Sequence, residues 1–189
     1  NLVLPGRYQH GWQWGTGVDG ELSATLGVYI QYNWPIWVWN SRNRLKAAVQ
    51  GLRVKTIGAP VLYMPPEPQE PAPSDSLLVI PFHSSPPYVI RNWQPYLDAL
   101  SAFAQPFGKV TVLLHFRDYA GVRERFDQLG FNTVTLGRMH DPDFLYRLRH
   151  LVQSHSLVTG EHVCTAALYA SYWGRPYLVY GPPLAAGAP

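Results

Sequence analysis

The chain has 189 residues, 47% of them hydrophobic, enough for one full globular domain or one domain plus part of a second. Its single cysteine, Cys164, excludes an intrachain disulfide and a cysteine-rich zinc site, and fits a cytoplasmic location. The formal charge of +3 comes without any Lys/Arg run, which suits an anionic small ligand and argues against nucleic acid.

The chain opens on Asn1 rather than Met, as a fragment or processed chain does, and shows no charged-then-apolar secretory leader. Gly6 to Gly20 reads as a Gly- and Trp-rich loop. It carries His10-Gly11-Trp12 and then Gly17-Val18-Asp19-Gly20-Glu21. Glycines beside a His or an Asp let the backbone approach a ligand. His10 is therefore a candidate general base, with Asp19 and Glu21 as candidate carboxylate bases; a Trp-rich packing loop with turn glycines is the plainer reading. Pro35 to Trp39 and Val54 to Ile57 read as strands, with a helix from about Ser41 to Gln50 between them. Trp12, Trp14, Trp34, Trp37 and Trp39 are expected in a core or interface, or, where exposed, stacked on sugar rings.

Met64 to Ser74, MPPEPQEPAPS, is too rich in proline for helix or sheet and reads as an extended linker. The expected organisation is a partial N-terminal α/β segment (1–63), the linker (64–74), a larger domain (75–183) and a tail (184–189).

The larger domain alternates strands and helices. Strands are predicted at Leu77 to Phe82, Lys109 to Phe116, Asn132 to Leu136, Ser156 to Thr159 and Tyr177 to Tyr180. Helices are predicted at Asn92 to Gln105, Tyr119 to Leu129, Asp141 to Val152 and His162 to Trp173. Asp141 is the expected N-cap of the third helix, with Pro142 following. Gly174 and Pro176 end the last one. Near-continuous apolar strands joined by helical crossovers predict a doubly wound, mostly parallel α/β sheet. No apolar run approaches the roughly 20 residues of a membrane span.

Ligands of such sheets bind beyond the carboxyl ends of the strands, where strand order reverses. For order 3-2-1-4-5, that point faces the loops His83-Ser84-Ser85-Pro86 and Gly160-Glu161-His162-Val163. The serines offer hydroxyls to a phosphate. His83 can donate to phosphate or transfer protons. Glu161 can accept from ribose hydroxyls or complement a helix N-terminus. Gly160, His162 and Thr165 frame the start of the last helix, whose free N–H groups favour an anion such as a nucleotide diphosphate. Gly137 and Arg138, next door, can hold a base or phosphate. His115, His140 and His155 lack metal-ligand spacing and are read as structural or surface residues. Cys164 is read as a buried helical residue. The absence of Gly-x-Gly-x-x-Gly, Walker and Gly-x-Ser-x-Gly signatures argues against dehydrogenase, P-loop and α/β-hydrolase readings.

The order of these pieces resembles a known pattern. A His-Gly-Trp loop is followed by Ile36-Trp37-Val38-Trp39-Asn40-Ser41 and by Val54 to Tyr63. The proline-rich bridge, Leu78-Val79-Ile80-Pro81-Phe82-His83-Ser84-Ser85 and the segment Ser154 to Pro182 complete it. Over most of Tyr8 to Pro182 the chain resembles the second half of GT-B-fold glycosyltransferases of the bacterial capsule and surface-polysaccharide type. The resemblance implies a nucleotide-sugar donor, as substrate rather than cofactor, held at the His83–Ser85 and Glu161–His162 loops. It also implies a glycan or lipid acceptor, and a base from the His10, Asp19, Glu21 region. Such enzymes need no Asp-x-Asp metal motif, and the sequence has none. A complete enzyme of this kind has two full α/β domains, so a non-catalytic binding or assembly module, dimeric through its aromatic N-terminal part, is the alternative. A sugar-nucleotide epimerase is a third.

Overall fold

The computed structural model describes residues 7–8, 35–42, 53–68, 71–84, 89–138 and 141–187. The chain forms two compact units that meet between Pro66 and Glu67, inside the proline-rich stretch.

The first unit contains three short parallel strands: β1 (Arg7–Tyr8), β2 (Ile36–Val38) and β3 (Val54–Thr56), in the order β1-β2-β3. Ile36 and Val38 are buried. A 3-10 turn, Pro60–Tyr63, follows β3 and starts on a proline. The Tyr63 hydroxyl returns to the Ile57 carbonyl. Two strands were legible in the sequence. The third, β1, falls in the stretch read as loop. It is two residues long and is defined only by its register on Ile36 and Trp37, so no local pattern announces it. The predicted helix from Ser41 to Gln50 lies largely outside the described residues.

The second unit is an α/β domain around a five-stranded, fully parallel sheet. Its strands are β4 (Ser76–Val79), β6 (Lys109–Leu113), β7 (Asn132–Val134), β8 (Leu157–Gly160) and β9 (Tyr177–Val179). Its helices are α1 (Gln94–Ala104), α2 (Phe116–Asp127), α3 (Phe144–Gln153) and α4 (Thr165–Tyr172). The spatial order is β7-β6-β4-β8-β9, which is 3-2-1-4-5 in chain order. This is a doubly wound, Rossmann-like arrangement. Leu77, Leu78 and Val79 on the central strand are fully buried, as a strand covered on both faces must be. The core joins Leu77 and Val79 to Trp93 at the start of α1, to Tyr96, Leu97 and Leu100 on that helix, to Val112 from β6 and to Phe126 from α2. Each large apolar side chain so buried contributes about 1.5–3 kcal/mol against exposure.

Beside the main sheet, β5 (Val89–Ile90) pairs antiparallel with β10 (Ala186–Gly187). Residues 184–189, read from sequence as tail, thus contribute a strand, and Leu184 joins the core.

Three helix starts differ from expectation. α2 begins at Phe116, within the predicted strand Lys109 to Phe116 and three residues ahead of the predicted Tyr119, and the His115 Nδ1 caps it there by accepting the Arg117 N–H. Asp141 is not the cap of α3, because the helix begins three residues later, at Phe144. The Asp141 carboxylate instead accepts from the Asp143 N–H, 2.9 Å, and pairs with Arg147, 2.8 Å. That local turn competes with helix at exactly the residue type that favours it. The last helix starts at Thr165, not His162, and Cys164 is its half-buried N-cap rather than a buried helical residue. The His162 carbonyl accepts the Tyr177 hydroxyl, 2.9 Å, which holds the preceding loop out of the helix.

Candidate functional site

Strand order reverses between β4 and β8. The loop after β4 carries Phe82, His83 and Ser84, and the loop after β8 carries Glu161 and His162. Both leave the carboxyl edge of the sheet, where the sequence reading placed them.

A single side chain ties the two loops. The Glu161 carboxylate accepts the Phe82 N–H through Oε1 at 2.9 Å and Oε2 at 3.2 Å. The Glu161 side chain is only 2% exposed. Its Oε1 also lies 3.3 Å from His162 Nδ1, and the His162 ring meets the Phe82 ring edge-on at 5.2 Å. The half-buried imidazole turns its Nδ1 inward, toward the carboxylate. Glu161 therefore acts as a brace between the loops. Acceptance of a ribose hydroxyl here requires one of its oxygens to turn outward.

Gly160, the last residue of β8, makes the close packing of these loops possible. A Cβ at this position would collide with the Tyr177 hydroxyl and stand 2.5 Å from the Ile80 carbonyl oxygen. Gly181, after β9, has φ 100°, and a Cβ there would stand 2.9 Å from the Tyr96 ring. Tyr96 is 1% exposed, and its hydroxyl has no hydrogen-bond partner among the described residues. Burial, and then the negative charge of Glu161, push the Tyr96 hydroxyl far up from its ordinary range. Burial raises Tyr177 as well, with Cys164 and Glu161 adding to it. Both phenols stay protonated, as donors beside a carboxylate.

Ser84 is buried and already engaged. Its N–H donates to Asp118 Oδ2, 2.8 Å, and its Oγ accepts the Ile90 N–H, 3.0 Å. It shapes its own loop rather than standing open to a phosphate, though its hydroxyl proton remains available as a donor. Ser85 lies outside the described residues, as do His10, Asp19, Glu21 and His140. His83 donates from Nδ1 to the Ser84 carbonyl, 2.9 Å. Its ring stacks on His115, with centroids 4.3 Å apart and planes 18° apart. Gly137, at φ 76°, and Arg138 are exposed after β7, two strands away from the switch point. The Arg138 guanidinium sits 6.0 Å from the Phe116 ring centre. Thr165 is the first residue of α4, and Cys164 gives that helix no side-chain cap.

The structure thus brings His83, Ser84, Gly160, Glu161, His162 and Thr165 to one edge. Sequence reasoning missed Asp118, Tyr96, Tyr177 and the ring pair His115–Phe116. Asp118 acts 34 residues from its partner, so no local spacing reveals it. The one available signal was an acid immediately ahead of the helix predicted from Tyr119; the structure places it in that helix's first turn. Of the histidines read as structural, His155 is 1% exposed and packs in the domain. His115 caps α2, with Nδ1 accepting the Arg117 N–H, 3.4 Å. Among the described residues, no cluster of three His, Cys, Asp or Glu side chains is disposed to hold a metal ion. Nor is any described helix long and apolar enough to cross a membrane.

The chain is an α/β protein with a Rossmann-like parallel sheet and a built carboxyl edge. No protein-family model, no curated protein and no solved structure matches it.

Proposed function

We propose that the second unit binds a nucleotide or nucleotide sugar over the carboxyl edge of its sheet, as the donor-binding part of a GT-B-type glycosyltransferase. The observation that carries this reading is the meeting of the His83–Ser84 and Glu161–His162 loops across the point where strand order reverses. Such a crevice is where doubly wound sheets take nucleotides. The first turn of α4, which its N-cap Cys164 does not cap through its side chain, offers a helix N-terminus to a phosphate. His83 and His162 supply donors on either side. In sugar transfer, these groups stabilise charge on the departing diphosphate while the anomeric carbon is displaced. The acceptor and the base are assigned, by resemblance, to the His10, Asp19 and Glu21 segment.

The test is a thermal-shift series with UDP, CMP, CDP, GDP and their sugars. A ligand at 100 times its Kd adds about 2.7 kcal/mol to native stability. The expected result is a rise in Tm for one nucleotide class, lost in His83→Ala and His162→Ala. A folded protein that shifts with none of them removes this reading. The alternative is then a non-catalytic assembly module, which the exposed Leu168, Tyr172, Leu178 and Val179 on α4 and β9 favour. Turnover of a nucleotide sugar with no acceptor present would mark an epimerase instead.

A further inference from the structure

The five-stranded sheet ends differently at its two edges. At one end lies β7, where Asn132 is exposed and the Thr133 hydroxyl donates to Asp127 Oδ1, 2.7 Å. At the other lies β9, Tyr-Leu-Val, whose only neighbour among the described residues is β8. The Val158 N–H donates to the Pro176 carbonyl, 3.0 Å, and the Tyr180 N–H to the Gly160 carbonyl, 2.9 Å. Backbone groups of successive strand residues point to alternate sides, so those of Tyr177 and Val179 face away from the sheet. Pro176 bonds on the β8 side and removes no donor from the open side. Natural edges are blunted by charge or proline, and β9 contains neither. α4 packs against β8 and β9 and continues this surface. Ala167 and Ala170 are buried, while Leu168 and Tyr172, one turn apart, are exposed. A helix apolar on more than one face belongs in a buried setting. Neither α4 nor β9 contains an Asp, Glu, Lys or Arg. The cation nearest before β9, Arg175, donates to the Gln153 carbonyl on α3, 2.8 Å.

We propose that β9 and α4 form a two-fold interface with a second copy of this chain, the two β9 strands pairing antiparallel about Leu178. Charge and symmetry select this occupant. A two-fold axis sets each residue near it against its own copy, so a charged edge repels itself and an uncharged one does not. The open groups of Tyr177 and Val179 match a single register. Tyr177 bonds the partner's Val179, and Val179 bonds the partner's Tyr177, through about four hydrogen bonds. Leu178 meets the partner's Leu178 in the closer, non-hydrogen-bonded position between them. Tyr177 reaches the loop before α4 with its hydroxyl, so Val179, two residues on, lies on the α4 side with Leu168 and Tyr172. Leu178 covers the other side. Each chain has one such edge, so pairing closes at the dimer. Nothing in this contact requires a nucleotide, and a donor-binding enzyme and a non-catalytic module can both carry it.

The test is sedimentation velocity of the whole chain from about 1 to about 200 μM. A short edge with four exposed apolar side chains belongs with the smaller, exchanging interfaces, so the expected Kd is about 10 μM. The mass should rise from that of one chain toward that of two. Leu178→Lys sets a cation against its own copy and should weaken dimerisation about 10-fold or more, as should Leu178→Glu. Leu178 is 41% exposed, so both variants should keep the monomer's Tm. Mixed in equal amounts, the two variants should dimerise again, because opposite charges then meet across the axis. A chain that stays monomeric throughout overturns the proposal. A dimer that neither Leu178 variant weakens also overturns it, because association then lies on another surface. A mixture of the two variants that stays monomeric removes the Leu178 register and the proposal with it.

Discussion

The Glu161 carboxylate, one residue past β8, holds the Phe82 N–H, three residues past β4, through both of its oxygens. Seventy-nine residues of chain separate the two, and this contact joins the loops on either side of the switch point. Removing it by Glu161→Ala leaves a part-buried N–H without its acceptor, which costs about 1–3 kcal/mol. Glu161→Gln keeps one accepting oxygen and should lose less. Urea denaturation of the three proteins checks the order wild type, Gln, Ala. Equal stability of all three would show that the loops keep their spacing without the brace.

Room at Gly160 underlies that brace. Gly160→Ala puts a methyl against the Tyr177 hydroxyl and the Ile80 carbonyl. A phenol can swing away, but the carbonyl belongs to backbone that follows a central strand. The substitution should therefore cost about 1–3 kcal/mol, as overpacking does, and Tyr177→Phe should not rescue it. Gly121→Ala is the counterpart within α2, where an added Cβ meets nothing within 4 Å. It should gain about 0.5–1 kcal/mol. Thermal melts of both variants test the contrast, and a neutral Gly160→Ala would mean that the strand end relaxes freely.

How much of this was legible beforehand follows from the range of the forces involved. The apolar runs of β4, β6 and β8 are buried on both faces, so hydrophobicity alone marks them. Their alternation with helices then restricts the topology to few orders, and 3-2-1-4-5 is the one found. His83, Ser84, Glu161 and His162 could be placed at one edge because topology places them there. What they do could not be read. Ser84 is held by Asp118 and Ile90, and Glu161 by Phe82, through contacts that form only once the sheet has closed. The short strands β1, β5 and β10 were invisible for the same reason, being two residues each and defined by their partners. The delayed start of α4 depends on Tyr177, 15 residues from the carbonyl it captures.

His155 gives the domain an acid-side weakness. Its Nδ1–H donates to the Leu151 carbonyl, 2.8 Å, and its Nε2 accepts from the Thr111 hydroxyl, 2.9 Å. Burial lowers its pKa from the ordinary 6.5, outweighing the opposing pull of the Leu151 carbonyl, while Lys109 lowers it further. A group depressed in the folded state stabilises above its unfolded pKa, and that stability is lost as pH falls toward the folded value. His155→Gln removes the titration, so its stability should fall less steeply than wild type below about pH 6.5. Urea melts at several pH values give the difference curve. Parallel curves for the two proteins would mean that His155 takes up its proton in the fold without cost.

Tyr96 offers a test of what the buried edge is built for. Its ring packs under Gly181 and is almost wholly enclosed, yet its hydroxyl lacks a hydrogen-bond partner among the described residues. A buried hydroxyl without a partner costs about 1–3 kcal/mol on protein scales. A core under no other demand would carry phenylalanine. Tyr96→Phe should therefore leave the ligand-free chain as stable as wild type or about 1 kcal/mol more stable. With a nucleotide that binds the wild type, the order should reverse only if the ligand recruits this buried phenol as a donor. Melting curves of both proteins, with and without that nucleotide, separate the contributions. A Tyr96→Phe protein destabilised without ligand would show that the hydroxyl already has a structural partner, such as an ordered water. The same ligand-induced rise in Tm in both proteins would place the ligand clear of Tyr96.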